Sequence, residues 1–241
     1  MNTTSAVLGG LLEVGLKQPL HIREERVSTR VDACRLLYVS DIHLRNRRTS
    51  LLCRQVLDAA ERSGPDVVLL GGDLVDRPSE LGPLADLVRG LGAVVPVLAI
   101  GGNHDHRIGM DRVRDAVLRG GGQWIHDRIA RVAHGSRVIA IAGPESAPPS
   151  EAHVRVLCAH NPRIWKASRH EGYDLVLAGH LHGFQVVGGV YRDRLFPGAL
   201  FYPYCFLSHQ RGSSRLVVSR GVSDLVPIRW MCPREVVLCH V

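Results

Sequence analysis

Seven side chains that could bind metal ions follow five apolar runs of the sequence. Each run reads as a buried strand, and the segments after them are Asp41-Ile42-His43, Gly72-Asp73-Leu74-Val75-Asp76, Gly102-Asn103-His104-Asp105, Ala159-His160-Asn161 and Gly179-His180-Leu181-His182. In an open α/β sheet, the carboxyl ends of the strands line a shared functional crevice. The pattern therefore predicts one site formed by Asp41, His43, Asp73, Asn103, His160, His180 and His182.

The chemistry of these groups suits transition-metal ions. Asp41 and His43 are two residues apart, so both side chains can project to the same side and reach one cation. Asp73 has two carboxylate oxygens and could bridge two cations, while Asn103 offers a neutral amide oxygen. Mixed imidazole and carboxylate ligands suit Mn, Fe, Zn or Ni. Two cations roughly 3.5–4 Å apart can hold a hydroxide and stabilise a phosphoryl displacement.

Alternating strands and helices precede the first three segments. Helical periodicity covers residues 49–63, a second helix runs from residue 78 or 79 to about 91, and a third covers residues 110–119. This β-α-β-α-β order predicts a parallel sheet with right-handed crossovers. After Gly122 the strands are closely spaced, and only Pro162–His170 has a helical pattern. Two sheets packed face to face, with helices outside, explain this arrangement. We expect one domain over residues 35–241 and an N-terminal arm over residues 1–34.

The bulk composition fits an intracellular protein with a basic surface. The chain has 241 residues, 45% of them hydrophobic, and a formal net charge of +7, which allows peripheral contact with an anionic inner membrane. Its six cysteines show no paired spacing, so a reduced, cytoplasmic compartment is expected. The apolar segment Ala6–Leu16 is too short to span a bilayer and lacks signal-peptide features. It could lie on a bilayer, but its adjacent glycines favour an irregular arm packed on the sheet.

The ordered motifs D-x-H, G-D-x-x-D, G-N-H-D, H and G-H-x-H resemble the calcineurin-like metallophosphoesterase superfamily over about residues 35–187. This resemblance implies a four-layer α/β/β/α sandwich of two mixed sheets flanked by helices, with a dinuclear metal centre. It assigns the first metal ion to Asp41, His43, Asp73 and His182. It assigns the second metal ion to Asp73, Asn103, His160 and His180.

The same resemblance implies roles for residues around the metal ions. His104 corresponds to the histidine that donates a proton to the leaving alkoxide, and Asp76 corresponds to the acid that orients it. Asp105, next to His104, is a rival for that orienting role. A neighbouring carboxylate raises the pKa of a histidine, which is the physical reason for such a pair. Arg77 stands where phosphoprotein phosphatases have a phosphate-binding arginine, although Pro78 follows it instead of glycine.

The later motifs resemble a bacterial branch of membrane-associated or cell-wall-associated phosphodiesterases. Some of its members are UDP-2,3-diacylglucosamine pyrophosphatases of lipid A synthesis. Two positions depart from the branch: Arg163 replaces an acid after Ala159-His160-Asn161-Pro162, and Phe184 replaces a glycine. Both lie where a substrate is expected.

Other residues are candidates for contact with the substrate. Three arginines, Arg45, Arg47 and Arg48, follow the first ligand pair. A cationic rim there would favour a pyrophosphate, a nucleotide or an anionic head group, and a solvated loop is the alternative. His106 and Arg107 follow Asp105 and could approach the substrate or form an exposed loop. Aromatic side chains cluster in one later segment, where they could stack on a base, enter lipid or pack on the second sheet. This cluster contains Phe201, Tyr202, Tyr204 and Phe206.

The leading hypothesis is a phosphodiesterase or pyrophosphatase that uses two divalent metal ions, with manganese as first choice, and attack by a metal-bridging hydroxide. As the substrate, we favour a lipid-linked nucleotide such as UDP-2,3-diacylglucosamine. A nuclease or cyclic-nucleotide phosphodiesterase is the alternative, although the sequence has no basic stripe with interleaved aromatics and no nucleic-acid module. A scaffold without activity is a third hypothesis, which the full ligand set disfavours.

Overall fold

The structure is a computed structural model that describes residues 12–166 and 172–241. Its strands are β1 (Leu12–Val14), β2 (His21–Arg26), β3 (Arg35–Val39), β4 (Val67–Gly71), β5 (Val97–Ile100), β6 (Gln123–Trp124), β7 (Ile129–His134), β8 (Arg137–Ala142), β9 (Val154–Cys158), β10 (Leu175–Ala178), β11 (Gly189–Tyr191), β12 (Arg194–Phe196), β13 (Ser208–Arg211), β14 (Ser214–Val218), β15 (Ile228–Trp230) and β16 (Glu235–His240). The α-helices are α1 (Thr49–Ser63), α2 (Leu81–Gly92), α3 (Asn103–Ile108), α4 (Met110–Arg119) and α5 (Gly198–Phe201).

The first sheet has the strand order β2-β16-β3-β4-β5-β6. Strands β3 to β6 are parallel, as the β-α alternation predicts, and β16 runs antiparallel to β3. Both faces of β3 are buried: Leu37 packs in the core beneath the helices, and Tyr38 packs between the two sheets. Helices α1, α2 and α4 cover the outer face through side chains such as Val56, Leu84 and Val117. Burial on both faces explains why these strands read as continuous apolar runs.

The second sheet has the order β13-β14-β10-β9-β8-β7 and packs on the first through an apolar core. Its outer face is covered by a 3-10 turn at Pro162–Trp165, together with Tyr204 and Phe206. The predicted four-layer sandwich of two mixed sheets flanked by helices is therefore confirmed. The helix predicted over residues 162–170 is described only as this turn, and residues 167–171 lie outside the described part of the chain.

The apolar segment Phe184–Val190 is not extended from its first residue. His182–Phe184 forms a 3-10 turn, and the strand lies at Gly189–Tyr191. Phe184 and Gln185 have φ values of 57° and 59°, which are incompatible with a strand. This left-handed turn positions His182 at the end of the second sheet.

The N-terminal residues of the described chain pack on the rest of the molecule. β1 pairs with β15, and β2 forms the edge of the first sheet beside β16. The Gln55 Nε2 atom donates to the carbonyls of Leu16 and Gln18 at 2.9 and 3.0 Å. The division into an arm over residues 1–34 and a domain over residues 35–241 stays a prediction. Most of the apolar segment Ala6–Leu16 lies outside the described residues. Among the residues that are described, no helix is long and apolar enough to cross a membrane.

A buried ion cluster joins the edge of the first sheet to the second. Glu235 is fully buried, and its carboxylate accepts hydrogen bonds from Arg23 Nε at 3.2 Å and Arg220 Nε at 2.9 Å. Burial alone would raise the pKa of Glu235, but the two guanidinium groups outweigh it and lower the pKa to about 2. The carboxylate therefore stabilises the fold as long as it is ionised.

We expect Glu235→Gln to lower the free energy of unfolding by about 3–5 kcal/mol near neutral pH, because two buried cations lose their counter-ion. The contribution of Glu235 is present above its unfolded pKa of 4.5 and is lost as the pH falls toward 2. The difference between wild type and variant should thus shrink in acid. Urea unfolding near neutral pH and at about pH 3 measures both effects. Glu61→Gln, on the exposed side of α1, is the control. An equal difference at both pH values would contradict the ion cluster's role.

Candidate dinuclear metal centre

The proposed ligands lie at the carboxyl ends of five strands. Asp41 and His43 follow β3, Asp73 follows β4, and Asn103 begins α3 directly after β5. From the second sheet, His160 follows β9, and two ligands, His180 and His182, follow β10. The structure brings all seven side chains into one cluster at the end of the sandwich.

The backbone at these residues is unusual. Five of the proposed ligands have left-handed φ angles, which cost non-glycine residues roughly 1–3 kcal/mol each. Hydrogen bonds between the loops hold this conformation, for example from the His43 N–H to the Asp73 carbonyl at 2.9 Å. Such strain is concentrated at functional sites because the surrounding structure must fix it. The strained residues are Asp41, His43, Asp73, His180 and His182.

The first group of proposed ligands consists of Asp41, His43 and His182, whose candidate ligand atoms lie within 4.8 Å of one another. The His182 Nδ1 atom donates to the Ser223 carbonyl at 3.0 Å, which leaves Nε2 free, 3.6 Å from Asp41 Oδ1. The His43 Nδ1 atom lies 2.7 Å from Asp76 Oδ1, and its buried Nε2 atom has no hydrogen-bond partner among the described residues. A buried imidazole nitrogen without a partner fits a metal ligand.

The second group consists of Asp73, His160 and His180, again with ligand atoms within 4.8 Å of one another. The His160 Nδ1 atom donates to the Gly71 carbonyl at 3.0 Å, and its Nε2 atom lies 3.1 Å from Asn103 Oδ1 and 3.2 Å from Asp73 Oδ2. The same Asp73 oxygen lies 3.7 Å from His43 Nε2 in the first group. Asp73 therefore stands between two adjacent groups, as a bridging ligand would.

Charge interactions in the site favour ionised carboxylates. Burial opposes ionisation of Asp73, yet hydrogen bonding and charge from His160 hold the pKa of that carboxyl well below its usual range. Burial lowers the pKa of His160, but the carboxylates outweigh it and raise the pKa to about 9. Burial is the main reason that the pKa of His182 falls to about 4. Ionised Asp73 and neutral His182 are ready to bind a cation, whereas at His160 the cation must replace a proton.

Asp76 is the carboxylate that contacts His104. Its Oδ1 atom lies 2.9 Å from His104 Nδ1 and also accepts from His43, so one oxygen orients two imidazoles. Asp105, the rival in the sequence, is fully buried and binds backbone N–H groups instead. Its partners belong to Leu74, Val75 and Gly102. The geometry therefore favours Asp76 as the orienting acid, while Asp105 joins the loops after β4 and β5.

We expect Asp105→Asn to lower the free energy of unfolding by about 1–3 kcal/mol, because an amide group must direct its NH₂ at buried backbone donors. Both carboxylate oxygens of Asp105 accept such bonds, so neither orientation of the amide avoids the conflict. Urea unfolding measures the loss. Asp111→Asn, an exposed position on α4, is the matched control. Equal stability of Asp105→Asn and wild type would refute the joining role.

The residues expected to contact substrate take different positions. Arg45 is half-buried, with one guanidinium nitrogen 3.6 Å from Asp76 Oδ2 and another donating to the Asp224 carbonyl at 2.7 Å. His106 and Arg107 line a cavity of about 630 Å³ that also reaches the ligands Asn103 and His160. Arg77 is exposed and lies beside Asp76 in the chain. Their assignment as substrate-binding residues stays a prediction.

The loop after β14 also belongs to the site, although none of the five sequence motifs includes it. The Ser223 carbonyl orients His182, and Gly221 lies against both Asp41 and His182. A Cβ atom at Gly221 would lie 3.0 Å from Asp41 Cβ and 3.2 Å from His182 Nδ1, and its φ of 79° also favours glycine. The signal was available, because this loop follows the apolar strand Ser214–Val218 just as the ligand loops follow theirs.

The chain is similar to several known proteins. A family model described as calcineurin-like phosphoesterase matches residues 34–184, which include all five motifs. Phosphodiesterase YaeI from Escherichia coli is 26% identical over 86% of this chain and 82% of its own length. The uncharacterized metallophosphoesterase YkuE from Bacillus subtilis is 25% identical over 85% of this chain and 78% of its own. A dimetal phosphatase structure from Danio rerio matches with a TM-score of 0.48 and 11% identity, covering 81% of this chain and 90% of that one.

Proposed function

Because the chain belongs to the calcineurin-like phosphoesterase family, we propose that it hydrolyses a phosphodiester or pyrophosphate bond with the help of two divalent metal ions. The protein is a metal-dependent phosphoesterase. That it binds two metal ions is our proposal, and one observation supports it. Asp73 Oδ2 lies 3.7 Å from His43 Nε2 in the first group and 3.2 Å from His160 Nε2 in the second. The His43 nitrogen has no hydrogen-bond partner among the described residues.

The proposed ligands divide between the two ions. Bound divalent cations supply Lewis acidity and lower the pKa of water, which is the chemistry that phosphoester hydrolysis requires. Manganese is our first choice of ion, and zinc, iron or nickel would suit the same ligands. Asp41, His43, Asp73 and His182 would hold the first ion, and Asp73, Asn103, His160 and His180 the second.

His104 is the residue that we propose protonates the leaving oxygen. Its ring is 28% exposed, whereas His43 and His182 below it are each 2% exposed, so His104 borders the open side of the site. Its Nδ1 atom lies 2.9 Å from Asp76 Oδ1, which fixes the orientation of the ring. The other ring nitrogen is then the atom that can give a proton to the leaving group.

For the substrate, we propose a lipid-linked nucleotide such as UDP-2,3-diacylglucosamine. The cavity beside Asn103 and His160 is large enough for part of such a molecule, and Arg107 lines it with positive charge. Arg77, near Asp76, adds a second exposed cation. These cations would favour a pyrophosphate over a neutral ester.

Two assays test this proposal. Hydrolysis of bis-p-nitrophenyl phosphate with Mn²⁺, and its loss in a chelator, tests metal-dependent diester cleavage. Failure of the Mn²⁺-loaded protein to cleave it would favour an inactive scaffold. Turnover of UDP-2,3-diacylglucosamine, measured against single-stranded DNA and cyclic AMP, then tests the substrate. Faster cleavage of DNA or cyclic AMP would overturn the lipid assignment and leave the hydrolase assignment intact.

A further inference from the structure

One face of the β1–β15 ribbon is apolar and exposed. Leu12 pairs with Trp230 and Val14 with Ile228 in antiparallel register, so the four side chains lie on one surface. Leu12 and Val14 are 54% and 50% exposed, and Ile228 and Trp230 are 51% and 39% exposed. Exposed apolar side chains that are contiguous, rather than scattered, mark an interaction surface.

This surface extends beyond the ribbon. Val186 forms a parallel bridge with Trp230 and is 47% exposed. The buried side chain of Gln185 donates to the Val226 and Ile228 carbonyls, at 2.6 and 3.0 Å, and holds the 59% exposed Val226 beside Ile228. The apolar face is defined here as Leu12, Val14, Val186, Val226, Ile228 and Trp230.

The opposite side of the ribbon cannot exchange places with the apolar face. Glu13 and Arg229, which alternate with the exposed residues, are buried and form ion pairs. The Arg229 Nε atom lies 2.6 Å from Asp224 Oδ1, and Glu13 Oε1 lies 2.6 Å from Arg234 Nε. Turning the ribbon over would expose the buried salt bridges and break them, which costs several kcal/mol. Exposure of the apolar face is therefore fixed by the fold.

Two exposed cations, Lys17 and Arg47, lie close along the chain to residues that contact the ribbon or the loop before it. Lys17 is exposed two residues after Gly15, whose N–H donates to the carbonyl of Pro227 in the same ribbon. Arg47 is exposed in the loop of Arg45, and Arg45 donates to the Asp224 carbonyl at the base of the ribbon. Apolar side chains with a tryptophan, flanked by cations, match the interface of an anionic bilayer. A protein partner would not require that combination.

The apolar face also lies close to the metal centre along the chain. Ser223, whose carbonyl orients His182, is three residues before Val226, and Val186 is four residues after His182. Both stretches of chain are short, and hydrogen bonds of the Gln185 side chain with Leu225 and Val226 join them. We propose that the apolar face docks on a bilayer that contains anionic phospholipid and presents the site to phosphoesters at its surface. The second half of this inference rests on the proposed function, while the docking does not.

Vesicle binding tests the docking. Wild-type protein should sediment with vesicles of phosphatidylcholine and phosphatidylglycerol, and less with phosphatidylcholine alone. The double variant Ile228→Ser, Trp230→Ser should bind roughly 10–100-fold more weakly, because two partly exposed apolar side chains can no longer bury apolar area in the bilayer interface. The control is Val31→Ser, Val94→Ser, which alters exposed valines outside the apolar face. Binding of both double variants at the wild-type level would overturn the proposal.

Two further measurements distinguish membrane docking from a loss of catalysis and from another occupant of the apolar face. Brominated lipid should quench the tryptophan fluorescence of the wild type, and Trp230→Phe should retain vesicle binding but lose that quenching. Hydrolysis of soluble bis-p-nitrophenyl phosphate should be unchanged in all variants, so a catalytic failure is distinguishable from a docking failure. Absence of quenching, or a wild-type dimer that the Ile228→Ser, Trp230→Ser variant converts to monomer, would assign the apolar face to another occupant and refute membrane docking.

Discussion

Asp73→Asn should abolish binding of both metal ions, rather than of one, and should reduce diester hydrolysis by roughly 10³-fold or more. The reason is the position of a single oxygen. Asp73 Oδ2 lies 3.2 Å from His160 Nε2 and 3.7 Å from His43 Nε2, so it serves both ligand groups. In the variant, the amide oxygen can still accept from the His104 N–H, which Asp73 Oδ1 does at 2.8 Å. The NH₂ group then replaces Oδ2 and offers no lone pair to a metal ion.

Elemental analysis of Mn²⁺-loaded, gel-filtered protein measures this effect. Asp86→Asn is the matched control, because Asp86 is an exposed carboxylate on α2 whose one ion pair among the described residues is with Arg89. The control should keep the wild-type metal content. Loss of a single ion from Asp73→Asn, with the other retained at full occupancy, would refute a bridging role.

His104→Ala should retain metal but lose about 10²–10⁴-fold in the hydrolysis of esters with poor leaving groups. The ring lies beside the proposed metal ligands: it packs edge-on against His43 at 4.5 Å between centroids, and its Nδ1 lies 2.9 Å from Asp76 Oδ1. An alkoxide must be protonated as it leaves, whereas nitrophenolate needs little protonation. The loss should therefore be much smaller with bis-p-nitrophenyl phosphate.

The comparison between leaving groups is the decisive part of this experiment. His153→Ala, in the exposed loop before β9, is the control and should match wild type on both substrates. Asp76→Asn should give an intermediate loss, because it removes the carboxylate that orients the ring. An equal loss on both kinds of ester for His104→Ala would mean that the ring positions the substrate instead of supplying a proton.

Much of the site follows from one feature of the sequence. Polar residues stand directly after apolar strands, and the carboxyl ends of parallel strands meet at one edge of a sheet. That rule brings Asp41, Asp73 and Asn103 together without any knowledge of contacts. The five buried runs before the ligands also predict the two packed sheets, because side chains on both faces of each strand are apolar.

Other features depend on contacts that no local pattern specifies. The two bonds of Asp76 arise from the packing of three loops, and in the sequence the adjacent Asp105 is a rival for the role of orienting His104. The sequence of β2 is mostly polar (His-Ile-Arg-Glu-Glu-Arg) and does not predict a strand. It forms one because its backbone pairs with β16 and Arg23 makes an ion pair with the buried Glu235. Likewise β1 and β15 are three residues long, and only their mutual pairing reveals the apolar face.

Diffraction from crystals grown with Mn²⁺, recorded at the manganese absorption edge, would show directly whether two ions bind at the proposed ligands. We expect two anomalous peaks roughly 3.5–4 Å apart. One peak should lie among Asp41, His43 and His182, the other among Asn103, His160 and His180, with Asp73 Oδ2 between them. A single peak in one group, or peaks only elsewhere on the protein, would contradict it.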